Sequence, residues 1–116
     1  GWTEWFQFKT AAAEVRPFRF LYLGDVQNGI LSDAARVIRQ AFSAHGGIEA
    51  VLHAGDLVDQ RGALDHDDEW GEWNAAAGHH YAMIPQIPAA GNHEYDNLLL
   101  PDGGERRRLG RYWPLQ

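Results

Sequence analysis

The sequence contains no cysteine, which excludes disulfides and every metal site built on thiolates. It has no apolar run near the roughly 18 residues that a membrane-spanning helix needs, so no membrane partner is expected. Positive charge is scarce. Ten lysines and arginines stand against sixteen aspartates and glutamates, for a formal net charge of -6. A nucleic-acid backbone is bound by a basic face, so nucleic acid is not an expected partner. The one basic run, Arg106-Arg107-Arg108, follows Pro101-Asp102-Gly103-Gly104 and is expected to be a solvated polar loop. The opening GWTEWF lacks the basic-then-apolar pattern of a secretory signal. Histidine is absent from every position after His93, and this absence bears most on function.

What is there is an alternation of strand and helix signals. Near the start, Phe6 and Phe8 fall on one face and Gln7 and Lys9 on the other, the pattern of a half-buried strand. Residues 18–23 form an apolar-rich strand that ends at Gly24-Asp25. Ser32 and Asp33 suit a helix start. Ala34, Val37, Ile38, Ala41 and Phe42 then recur at helical spacing, and Gly46-Gly47 stops the helix. A strand over residues 50–54 ends at Gly55-Asp56. Residues 65–81 predict a helix with Trp70, Trp73 and Ala77 on one side; the acidic run Asp65, Asp67, Asp68, Glu69 suits its start. A short strand over residues 85–90 ends at Gly91-Asn92, and the tail from Asn97 is expected to be loop.

Strand, helix, strand, helix, strand predicts an α/β fold of parallel strands with helical crossovers. Parallel strands share one carboxyl edge, and ligands bind there. Asp25, Asp56 and Asn92 therefore converge on one rim, with His93 and Glu94 beside them. Carboxylates crowded at a rim repel unless a cation lies between them. Oxygen ligands joined by imidazole suit Mn, Fe or Zn. Two such ions about 3.5–4 Å apart can activate a bridging water and neutralise a phosphoryl group, and a neighbouring histidine can protonate a leaving oxygen.

Three stretches, GDVQ (24–27), GDLVD (55–59) and GNHE (91–94), resemble the first three motifs of the calcineurin-like metallophosphoesterases. A fixed four-residue string such as GNHE arises by chance at roughly 1 in 10^5 per start position, and here three motifs come in order, each after a strand. WTEWFQFKTA, HAGD, IPAAGNHEY and RYWPLQ resemble the purple-acid-phosphatase-like branch, in which a fibronectin-III-like β-sandwich precedes the catalytic domain. The resemblance implies that residues 1–12 are the terminal strand of such a sandwich. Residues 17–116 would be the N-terminal part of a metallophosphoesterase domain.

It further implies hydrolysis of a phosphate monoester or diester by a metal-bound hydroxide at a dinuclear centre of two divalent or trivalent ions (Fe, Mn or Zn). Asp25 would ligate one metal, Asp56 would bridge both, and Asn92 would be the amide ligand of the second. His93 would contact the substrate and give a proton to the leaving group, and Glu94 would steady His93. Gln27 stands where much of the superfamily has a histidine ligand; it either offers a carbonyl oxygen or is a polar rim side chain. Asp59 stands where the purple enzymes have a tyrosinate, so no purple chromophore is expected, and Asp59 itself is expected to be structural. His53 is expected in the core or behind the site. His45, His66, His79 and His80 are expected to be surface or satisfied groups.

The family's later histidine and its Gly-His-x-His motif have no counterpart after His93. The expectation is therefore an incomplete phosphoesterase. The alternative is a non-catalytic half-domain that binds metal weakly or not at all and self-associates through an exposed sheet edge. A secreted or periplasmic location is implied by the resemblance alone.

Overall fold

A computed structural model describes residues 1–2, 4–59 and 67–109. The predicted parallel sheet is present: β1 (Arg19–Leu23), β2 (Ile48–His53) and β3 (Gln86–Pro88) lie in the order β1-β2-β3, and both pairings are parallel. Helix α1 (Ala35–Ala44) connects β1 to β2. Helices α2 (Asp67–Ala76) and α3 (His79–Met83) lie between β2 and β3. This is the α/β arrangement expected of a partial metallophosphoesterase fold.

The alternation of side chains across each strand decides which face the helices cover. Val51 and His53 of β2 point into the core with Ile38 and Phe42 of α1 and Trp70 and Trp73 of α2, and Leu21 and Leu23 of β1 pack against it. Burying each such apolar side chain contributes roughly 1.5–3 kcal/mol. The opposite face carries a cross-strand row, Tyr22–Leu52–Ile87, together with Phe18 and Phe20. Phe18, Phe20, Tyr22 and Ile87 are each at least half exposed. Both faces of a parallel sheet are normally apolar; among the described residues only one is covered. Arg39 joins the two helices, donating from Nε to the Ala76 carbonyl (2.8 Å) and from Nη2 to that of Ala75 (3.0 Å). The Ala75 carbonyl also accepts the Gly78 N–H (3.0 Å), so both contacts lie where α2 ends.

Four local expectations are corrected. The strand around Phe6 and Phe8 is not formed: residues 4–18 have no regular structure, and Trp2, Trp5 and Phe8 are more than four-fifths exposed. A strand needs a neighbour to satisfy its ladder, and residues 4–12 pair with none of the described strands. Ser32 does not cap α1. A wide π turn, Ile30–Ala34, precedes the helix, and Gly29 (φ 63°) accepts the N–H groups of Asp33 (2.8 Å) and Ala34 (3.2 Å) and the hydroxyl of Ser32 (3.2 Å). The helix expected over residues 65–81 is broken at Gly78, whose φ of 59° departs from helical geometry; its first two residues lie outside the described residues. The described part of the tail, up to residue 109, is not loop. It is an antiparallel hairpin of β4 (Tyr95–Leu99) and β5 (Glu105–Leu109), so Arg106, Arg107 and Arg108 sit on a strand.

Candidate functional site

Each parallel strand delivers its motif to the same edge, and hydrogen bonds join the three motif loops. The Ala54 N–H donates to the Leu23 carbonyl (2.7 Å), Asp25 N–H to Gly55 (3.2 Å), and Gln27 N–H to Asp56 (3.1 Å). On the other side, Ala89 N–H donates to the His53 carbonyl (2.9 Å), and His93 N–H donates to Asp56 Oδ1 (2.9 Å). Motif 2 is therefore the hub. Asp25 and Asp56 are the only non-glycine residues at positive φ among those described, at 56° and 54°. Aspartate tolerates this left-handed region better than most residues. Backbone held there gathers at functional sites, where the surrounding structure over-determines it.

Two glycines permit the loops to meet. A Cβ on Gly91 would collide with Asp56 Oδ1 and lie 2.5 Å from the Asp56 nitrogen. A Cβ on Gly55 (φ 99°) would lie 2.5 Å from the Gly91 nitrogen and 2.6 Å from its Cα. Both clashes include backbone atoms, so moving a side chain alone does not relieve them. Gly91→Ala is expected to lower stability by about 2 kcal/mol or more, read as a fall in the urea midpoint, whereas Gly71→Ala, inside α2 and meeting open space, is expected to raise it by about 0.5–1 kcal/mol.

Glu94 is fully buried. Its Oε2 accepts the N–H groups of Asp56 (2.9 Å) and Gly91 (2.7 Å), and its Oε1 accepts those of Leu57 (2.6 Å) and Val58 (3.1 Å). One carboxylate thus binds four backbone donors and locks motif 3 onto motif 2. This corrects its expected role. Glu94 does not hold the His93 ring, and no substrate can reach it; it positions the loops. The partner of the His93 ring is Asp59: His93 Nδ1 lies 2.7 Å from Asp59 Oδ1. Asp59 is held in turn by its backbone N–H, which donates to Glu69 Oε2 on α2 (2.9 Å). The sequence alone predicts a structural role for Asp59. Its position three residues beyond Asp56, in the loop that faces GNHE, was the available signal.

The donors expected to hold a metal fit a hard cation in kind. The Asp25 carboxylate is exposed and takes no hydrogen bond among the described residues. Asp56 uses Oδ1 for His93 N–H, which leaves Oδ2. Gln27 Oε1 is buried with no hydrogen-bond partner among the described residues. Asn92 opens the 3-10 turn Asn92–Glu94 and is exposed. In number the donors fall short of a closed two-metal centre. Among the described residues no three His, Asp or Glu side chains cluster to hold an ion.

Of the remaining histidines, His66 lies outside the described residues, and His53 and His80 take other contacts. His53 is buried behind motif 2, its Nε2 2.9 Å from Gln86 Oε1, and burial pushes its pKa down. His80 stacks on Phe42 with centroids 4.3 Å apart, and its pKa is lowered by burial and by neighbouring His79.

A three-stranded parallel sheet that brings two left-handed aspartates, two amides and a carboxylate-paired imidazole to one rim defines the class: an α/β protein with its site at the strand ends. A family model described as calcineurin-like phosphoesterase matches residues 18–116. The chain belongs to that family. Comparison with curated proteins and with solved structures gave no match.

Proposed function

We propose that this rim is the phosphate-ester site of a metal-dependent phosphoesterase, with His93 as the general acid. The observation that carries the reading is the His93–Asp59 pair of 2.7 Å beside Asp56, in a chain of this family. Asp25, Asp56, Asn92 and Gln27 would hold one or two divalent or trivalent ions, with Fe, Mn and Zn the candidates. When bound, such ions neutralise phosphoryl charge and lower the pKa of water. The chain's own residues do the rest. The Asp59 carboxylate accepts Nδ1–H and fixes the orientation of the ring. That leaves Nε2–H to donate to the oxygen of the leaving group. Glu94 and Asp56 fix the backbone of the turn that carries the ring.

Asp59→Asn tests this pairing. In hydrolysis of an alkyl phosphate with added Mn2+, kcat is expected to fall about tenfold or more with KM little changed, while the urea midpoint moves slightly. An equal fall in stability and rate would make Asp59 a structural residue only. The absence of any histidine after His93 favours a second reading of the chain by itself: a half-site that binds metal weakly and self-associates through its uncovered apolar sheet face. Sedimentation separates the two, since self-association predicts a mass that rises with concentration and falls on Tyr22→Lys.

A further inference from the structure

The consecutive backbone N–H groups of residues 56–59 all end on carboxylates, but not on the same one. Those of Asp56, Leu57 and Val58 go to Glu94, inside the rim. That of Asp59 goes to Glu69 Oε2 (2.9 Å), ten positions further along and on α2. The acceptor changes at the residue whose side chain meets the general acid: Asp59 Oδ1 lies 2.7 Å from His93 Nδ1. A closed circuit results. The His93 N–H donates to Asp56 Oδ1 (2.9 Å), the chain runs on from Asp56 to Asp59, and Asp59 returns to the His93 ring.

Glu69 holds that circuit from outside. It stands in the first turn of α2, where the helix dipole favours a carboxylate; that alone would make it a residue of the helix start. The rest of the helix makes it an anchor. Trp70 and Trp73 are buried in the core, and Arg39 of α1 grips the Ala75 and Ala76 carbonyls at the far end. The acceptor for Asp59 is therefore mounted on a packed helix, and functional side chains are placed more precisely by such elements than by loops. A backbone N–H bound to an ionised carboxylate is held more strongly than one bound to a neutral acceptor. Holding this N–H fixes the planar peptide that enters the Asp59 Cα, and with it the direction in which the side chain leaves.

We propose that Glu69 is a positioning residue for the general acid: by holding the Asp59 N–H it sets the Asp59 carboxylate against His93 Nδ1, and so the direction in which His93 Nε2 points. Glu69 touches neither the His93 ring nor a substrate in this role; it acts through Asp59. Its catalytic consequence rests on the phosphoesterase reading of His93, and its contact geometry does not.

Two measurements test it. In the whole chain, metal-free and labelled with 15N, the His93 Nδ1 proton is expected as a slowly exchanging downfield resonance, assigned by its loss in His93→Ala. Glu69→Ala is expected to speed its exchange by about tenfold or more. Glu69→Gln keeps an acceptor oxygen and should leave exchange within about twofold of the parent. In hydrolysis of an alkyl phosphate with added Mn2+, Glu69→Ala is expected to lower kcat about tenfold with KM little changed, and Glu69→Gln to retain most of the rate. In an Asp59→Asn background the same Glu69→Ala change should alter kcat by less than about twofold, because residues that act through one another are not additive. An equal factor in both backgrounds, unchanged proton exchange in Glu69→Ala, or no such proton in the parent overturns the proposal. A parent chain that hydrolyses no phosphate ester removes the phosphoesterase reading instead, and the exchange measurement still decides whether Glu69 positions the ring.

Discussion

Glu94→Ala is expected to be the most destabilising single substitution at the rim, by about 4 kcal/mol. The reason is the number of donors that depend on one carboxylate. Four backbone N–H groups, from Asp56, Leu57, Val58 and Gly91, end on Glu94, and the side chain is fully buried. Hydrogen bonds to a charged group each contribute more than neutral ones, and a buried donor left unmade carries its full desolvation cost. Alanine leaves all four without an acceptor. Glu94→Gln keeps the shape and one oxygen, but its amide group turns a donor toward donors. It should cost about half as much, near 2 kcal/mol. Urea unfolding of both variants checks the order. A loss under about 1 kcal/mol for Glu94→Ala would mean that the two motif loops are not held as described.

His93→Ala is expected to leave the fold in place and remove most of the chemistry. General acid catalysis contributes about 10^2–10^4-fold, so hydrolysis of an alkyl phosphate should fall by about 10^3-fold. The loss should shrink toward tenfold or less for an aryl phosphate with a nitro-substituted leaving group, which departs without a proton. That dependence on the leaving group separates proton donation from binding. If both substrates lose the same factor, His93 holds the phosphate and does not protonate its ester oxygen. The comparison is made with Asp59→Asn, which leaves the imidazole in place without its carboxylate and should show the same trend at smaller amplitude.

The rim was legible because each parallel strand announces its own end. The apolar runs stop at Gly24-Asp25, Gly55-Asp56 and Gly91-Asn92, and a parallel sheet puts those ends together. The structure joins the same three loops through motif 2. The partner of His93 was less legible. Adjacency suggested Glu94, but neighbours in a helical turn do not face each other. Glu94 turns inward to the backbone of motif 2, and the His93 ring meets Asp59, which lies 34 positions earlier. No local pattern carries that contact. It depends on how the left-handed turn at Asp56 directs the next three residues.

The hairpin was missed for a different reason. Pro101-Asp102-Gly103-Gly104 is a turn between two strands, but Arg106-Arg107-Arg108 has no apolar alternation to mark one. Pairing with β4 makes the strand instead. The start of the chain shows the converse. The alternation at Phe6 to Lys9 is present, and residues 4–12 remain without a pairing partner among the described strands.

In the proposed site, Asp25, Gln27, Asp56 and Asn92 form one cation-binding corner beside His93. Titration of the 15N-labelled chain with Mn2+ tests it most directly, because paramagnetic broadening reports even weak binding. The first amides to broaden are expected to be those of residues 25–27, 55–57 and 91–93, and Asp56→Asn is expected to abolish the effect. Broadening centred on the acidic segment at Asp67–Glu69, or unchanged by Asp56→Asn, would contradict it.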